Sequence, residues 1–357
     1  MRYFIDVSEW QAAEINKLIK IGKYQNIAQF ISAAIENQIY LENSVGLSQQ
    51  DFLNKKDSDI YINLAKTINT ENTELKRITL GEINSQPKTV SMPSFSILSA
   101  SLFNIAEDKS WLWGQTNRIL PIKIGLRVLY SMIDSEQWID LERFRDKAAH
   151  VATLFGTKIR KYEDALGKIR SDRISAGLPK EGEVKSINRY KSHFLAYMRK
   201  DEKLDGAMTF LRFVNLNKDE KGKILIGLTD GGLNFAKLDS PVMDHNDFEK
   251  SFFQTEINFY LDHVLKNVKG ESSAIKWLLT KLVNGMVTRD EIIDELRKDF
   301  SQTWQYNSKK FSDKVLNTQR AGLIARMFEL GLIRKEKDGI EVKYIISPLG
   351  ESYFKNN

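Results

Sequence analysis

Two short stretches, Glu183-Val184-Lys185 and Glu341-Val342-Lys343, have the acid-x-lysine form with which restriction-type nuclease cores hold a metal ion and activate water. The second falls in an alternating apolar/polar run, so strand periodicity alone accounts for it. The first sits in a loop broken by Gly177, Pro179 and Gly182, with no apolar strand ending in Asp ahead of it. The four histidines, His150, His193, His245 and His263, show no short metal-ligand spacing. The absence of cysteine removes thiolate ligands, cysteine nucleophiles and disulfides together. No glycine-rich phosphate cradle and no G-x-S-x-G elbow occurs, and Gly231-Gly232 is a lone pair. The expectation is a protein that is not an enzyme and uses no cofactor or metal.

Charge carries more information. The chain of 357 residues has a net charge of +6, but residues 157–200 hold 12 Lys/Arg against 5 Asp/Glu. Their excess of +7 exceeds the whole-chain total, so the positive field is local, as in a nucleic-acid footprint. A solvated basic loop is the alternative. The candidate phosphate contacts are Lys158, Arg160, Lys161, Arg170, Arg173, Lys185, Arg189 and Lys191. Positions 158, 161 and 165 share a helix face, so Lys158 and Lys161 can follow one phosphate backbone. Tyr162 and Tyr190 among them are either phosphate or base contacts or ordinary core residues.

The elements that must position these groups begin at the N-terminus. Residues 2–8, RYFIDVS, alternate as a strand, and Ser8 can cap a helix that opens with Glu9. Ala12, Ile15, Leu18 and Ile19 share a helical face, Gly22 ends the helix, and Ile27, Phe30, Ile31, Ala34, Ile35 and Ile39 mark a second one. Such a unit is too small to bury a core without a partner. IDVSEW and EINKLIKIGKYQNIAQFISAAIENQI, with its GKY turn, resemble the ribbon-helix-helix family of DNA-binding proteins over residues 1–41. The resemblance implies an intertwined homodimer held by Tyr3, Ile5, Val7, Ile15, Leu18, Phe30, Ile31 and Ile35. It also implies a two-stranded ribbon in the major groove presenting Arg2, Phe4 and Asp6, with Gln25 and Asn26 meeting a phosphate at the second helix. Whether the ribbon reads DNA or only dimerises stays open, because the unit has no net charge.

Residues 42–92, rich in Asn, Ser, Thr, Gln and Lys, read as a partly ordered linker with one helix and a docked strand at most. Residues 93–243 and 244–357 read as two further domains. In the first, helices are expected from Leu120 and over Trp138 to Phe155. In the second, three helical patterns, one capped by Thr288, precede the strand pair LIRKEKDGIEVKYIIS. This order resembles winged helix-turn-helix domains. It implies a third helix in the major groove, with Lys309, Lys310, Lys314 and Arg320 on or before it and Asn317 and Gln319 as base readers.

An internal repeat links the two domains. FLRFVNLNKDEKGKILIGLTDGGLNFAK (residues 210–237) can be laid on MFELGLIRKEKDGIEVKYIISPLGESYFK (residues 327–355). Thr229 and Ser347 fall where each would cap a final helix, Pro348 suits a first turn, and Gly232 and Gly350 leave room for close packing. The fold class expected is mainly α: a ribbon-helix-helix followed by two winged-helix-like modules. The function expected is a cytoplasmic, nucleoid-associated homodimer that binds double-stranded DNA as a site-specific transcriptional regulator or replicon-organising factor. No run of about 18 apolar residues and no signal-peptide h-region points to a membrane. The alternative is a non-catalytic scaffold subunit of a genome-defence or partition complex, with other proteins as partners of the winged modules.

Overall fold

Helical periodicity in the sequence is realised as long helices joined by short antiparallel sheets, a mainly α architecture. The computed structural model describes residues 9–20, 27, 30–31, 72–93, 110–285, 288–300, 305–306, 309–310, 312–338 and 341–356. Contacts divide the chain into two units, residues 1–69 and 70–357. In the first, helix α1 spans Glu9–Lys20 with Ile15 buried, and Phe30 and Ile31 are half-buried. Tyr3, Ile5, Val7, Ile35 and the side chain of Leu18, expected at a dimer seam, lie outside the described residues. Among the described residues no helix is long and apolar enough to cross a membrane.

The second unit begins with a strap. Residues 72–76 are helical, and residues 83–93 follow with no helix or strand, held where Val90 N–H donates to Leu228 O at 2.8 Å. The chain then forms α2 (Leu120–Met132), β1 (Ile139–Asp140), α3 (Leu141–Ala165), α4 (Val184–Arg189), β2 (Tyr197–Met198) and β3 (Leu204–Asp205). It continues through α5 (Ala207–Phe210), β4 (Val214–Lys218), β5 (Ile224–Leu228) and α6 (Asp230–Lys237). The helix expected from Trp138 starts instead at Leu141. Residues 139 and 140 pair with β5, and the Asp140 carboxylate caps α3 by accepting from Arg143 N–H at 2.6 Å.

Next come α7 (Gln254–Asn267), α8 (Lys269–Val283), α9 (Arg289–Phe300), β6 (Gln305–Tyr306) and β7 (Lys309–Lys310). The chain ends with α10 (Asp313–Glu329), β8 (Ile333–Asp338), β9 (Glu341–Ile346) and α11 (Pro348–Asn356). Thr288 caps α9 as expected: its hydroxyl accepts from Glu291 N–H at 3.4 Å and Glu291 Oε2 accepts from Thr288 N–H at 2.8 Å.

Hydrogen bonds recur at matching positions of the two repeats, with Met208 rather than Phe210 corresponding to Met327. Phe213 N–H reaches back to Met208 O at 3.0 Å, and Leu332 N–H reaches back to Met327 O at 2.9 Å. The residue before each, Arg212 or Gly331, has φ of 59° or 69°, the left-handed turn that ends a helix. Thr229 N–H donates to Phe213 O, and Ser347 N–H donates to Leu332 O. The Thr229 and Ser347 hydroxyls accept from Gly232 N–H at 3.1 Å and Gly350 N–H at 3.0 Å. A Cβ on Gly232 would sit 1.9 Å from Phe213 O, and one on Gly350 2.1 Å from Leu332 O. Only glycine lets the last helix lie this close to the first strand. The topology matches too: β1 joins β5 in the order β1-β5-β4, and Thr288 forms an isolated bridge to Lys343 of β9.

Buried ion pairs join the halves. Arg326 of α10 and Glu271 of α8, both fully buried, form a two-pronged pair at 2.8 and 3.0 Å, and Arg326 also donates to Thr116 O. Glu329 accepts from Ile119 N–H at 2.5 Å and Leu120 N–H at 3.3 Å, so the end of α10 anchors the start of α2. In the first half Lys123 pairs with Glu256 at 3.1 Å, and Arg127 pairs with Asp244 while holding the strap through Ile78 O. Residues 70–357 therefore pack as one unit across residues 243 and 244.

Candidate nucleic-acid interface

A cleft of about 1180 Å³ opens between residues 114–189 and residues 289–322. Helix α3 supplies Arg160, the following loop supplies Lys168, Arg170, Arg173 and Lys180, and α4 supplies Lys185 and Arg189. The opposite side comes from residues far along the chain: Arg289 at the start of α9, then Lys314, Asn317 and Arg320 on α10. Gly114, Gln115 and Asn117 lie between them. Ten Lys or Arg side chains thus face one carboxylate, Glu183.

The loop is held in place by its own chemistry. Glu163, fully buried, accepts from Ser175 N–H at 3.2 Å and from the Ser175 hydroxyl. Arg160 donates to Pro179 O at 2.7 Å, and Arg173 donates to Lys168 O and pairs with Asp164 at 2.6 Å. Arg118 donates to Ser171 O at 3.0 Å. From the far side Lys335 of β8 donates to Ser171 O at 3.3 Å and pairs with Asp172 at 2.9 Å. Residues on both sides of the cleft therefore fix the same cationic loop.

Eight of the ten cations sort by their surroundings. Arg160, Arg173 and Lys180 are engaged by carbonyls or carboxylates of the loop. Arg170, Lys185, Arg189 and Lys314 are exposed and have no ion-pair partner among the described residues. Arg320 is nearly buried, its Nε has no hydrogen-bond partner, and burial pulls its guanidinium below the ordinary arginine range. A fixed buried guanidinium beside exposed cations is an arrangement suited to phosphate oxygens.

Eight residues expected at DNA from the sequence meet in this cleft: Arg160, Arg170, Arg173, Lys185, Arg189, Lys314, Asn317 and Arg320. Others lie elsewhere. Lys158 donates to Asn246 and lies over the Phe248 ring, on a different face of α3 from Arg160. It therefore does not share a backbone track with the cleft, and exposed Lys161 does not line the cleft. Lys191 pairs with Asp146. Tyr190 is buried and donates to Pro121 O, and Tyr162 donates to Glu249, so both serve packing and local bonds.

Gln319 departs most from expectation. It is buried, its Oε1 accepts from Gly114 N–H at 2.7 Å, and its Nε2 donates to Leu112 O at 2.7 Å. Both ends of the amide are consumed in tying residues 112–114 onto α10, leaving none to read a base. Asn317 is half-buried, with its Oδ1 accepting from Arg289 and its Nδ2 donating to Asp313 O. Lys309 and Lys310 form β7, but their side chains lie outside the described set, as do Arg2, Phe4, Asp6, Gln25 and Asn26.

Three cleft cations were not singled out in the sequence. Lys168 and Lys180 sit inside the charge-rich stretch and differ from their neighbours only in where the loop points. Arg289 follows the Thr288 cap directly, a visible position whose outlook depends on how α10 crosses α9. Among the described residues no group of three His, Asp or Glu side chains could hold a metal ion. Comparison of the chain with protein-family models, with curated proteins and with solved structures finds no match to any of them.

Proposed function

We propose that the chain is a homodimeric DNA-binding protein, and that its basic cleft grips the phosphate backbone of double-stranded DNA. The observation that carries this reading is the lining of ten cations against one carboxylate, drawn from residues 160–189 and 289–320. A concave surface of one sign focuses its field, and exposed cations without partners release counterions when they meet phosphates.

The order of elements supports a winged helix-turn-helix reading of each repeat: helix, short pairing strand, helices, hairpin, closing helix. On that reading α10 is the recognition helix of the second module and the β8–β9 hairpin its wing. Lys314 then faces the groove, while Arg170, Lys185 and Arg189 hold the backbone beside it. The ribbon-helix-helix-like N-terminus supplies the dimer. The role is non-catalytic: a site-specific transcriptional regulator or a factor that organises a replicon.

Titrating the full chain into duplex DNA at several salt concentrations tests the reading. The binding constant should fall on a log–log plot with a slope of several units, each neutralised phosphate contributing about 0.9. No binding at micromolar protein in about 100 mM salt would favour the scaffold of a protein assembly instead.

A further inference from the structure

We propose that Ile169 is an apolar wedge that enters a base step of the bound duplex and kinks it, an inference that rests on the DNA reading of the cleft. Seven large hydrophobic side chains are exposed among the described residues, and three of them, Leu166, Ile169 and Val184, lie on the basic segment. Ile169 is 59% exposed and lines the cleft between Lys168 and Arg170. A single exposed apolar residue on an open surface needs no explanation. One standing inside a cationic cleft, on a turn fixed from two sides, does.

The turn is built to stay put. Asp172 N–H donates to Ile169 O at 3.0 Å, closing a tight helical turn behind the tip. Arg118, nearly buried, donates to Ser171 O and Arg173 O from one side. Lys335 grips Ser171 O and Asp172 from the other. A β-branched side chain is itself stiff at χ1, so presenting it to a ligand costs little entropy. Apolar wedges flanked by basic residues unstack a base step at a cost of a few kcal/mol, offset by the extra surface that the bent duplex covers. Lys168 and Arg170 are placed to meet the phosphates on either side of such a step.

The test uses the full chain and a duplex of about 30 base pairs containing TA and CA steps, which kink most easily. A donor and acceptor dye mark its ends, and 2-aminopurine marks the flexible steps. Wild-type protein should bring the ends closer and raise the 2-aminopurine fluorescence as stacking is lost. Ile169→Ala should abolish most of both signals while its affinity stays within about tenfold of wild type. Arg170→Ala should keep both signals and lower the salt slope by about one unit. Salt-dependent binding by wild type without bending or unstacking would overturn the wedge and leave the DNA reading standing. Equal signals from Ile169→Ala and wild type would overturn it as well. No binding at all would remove both.

Discussion

The two repeats share a frame and differ in what they do with it. Met208, Phe213, Thr229 and Gly232 make the same backbone and capping bonds as Met327, Leu332, Ser347 and Gly350. Yet the helix that enters this frame is a buried four-residue turn, Ala207–Phe210, in the first repeat and a 17-residue helix in the second. The second repeat thus presents a helix to the cleft. Ahead of the first lies a loop, residues 166–183, that Lys335 of the β8–β9 hairpin holds through Asp172. A handful of caps and close contacts fixes the frame, and the surface grafted onto it is free to diverge.

The largest test of this comparison concerns how each repeat is anchored. Arg326→Leu should cost about 3–5 kcal/mol in urea unfolding, because it strands the Glu271 carboxylate in the interior. Lys123→Met should cost less. Burial already pulls the Lys123 ammonium below the usual lysine range and raises the Glu256 carboxyl, so Glu256 can take a proton when its partner is gone. Equal losses would break the distinction.

The shared frame predicts matched losses. Gly232→Ala and Gly350→Ala should each destabilise by about 1–3 kcal/mol, since either Cβ would strike a strand carbonyl. Thr229→Ala and Ser347→Ala should each cost about 1 kcal/mol as caps. An effect confined to one member of either pair would show that the repeats do not share their energetics.

The smallest effect is asymmetric. Histidine occurs in the first part of the chain and is absent from residues 269–357. Burial lowers the His263 pKa from its ordinary 6.5, and its Nε2–H donates to Leu211 O beside the helix-ending turn. Burial lowers His193 as well. A group with a depressed folded pKa binds more protons when unfolded, so its stabilisation is complete above 6.5 and is lost as pH falls below it. Urea midpoints should therefore drop as pH falls below about 6.5, and His263→Gln should flatten that drop. A flat wild-type profile would contradict the buried neutral role.

How much of this was legible in the sequence follows from the range of each interaction. The caps at Thr229, Thr288 and Ser347 bond to groups three residues on, so spacing alone locates them. The basic stretch was legible as an excess of charge, and eight of its residues and those of α10 meet in one cleft. What was not legible is which face α10 turns inward. Gln319, Arg320 and Arg326 are all buried, so the helix lacks the clean apolar stripe that orients a helix from sequence. Its burial is created by Gly114 and Leu112, some 205 residues away. Four of the eight residues expected at a dimer seam, the side chain of a fifth, and all of those expected on a reading ribbon lie outside the described set.

The central claim is that the basic segment and α10 bind one duplex through the cleft. The salt dependence of duplex DNA binding by wild type and by the triple variant Arg170→Ala, Arg189→Ala, Lys314→Ala tests it most directly. The slope should shrink by about 0.9 for each cation removed, whether it comes from the loop or from α10. A variant with unchanged slope and affinity would contradict the account, because the DNA would then be held elsewhere.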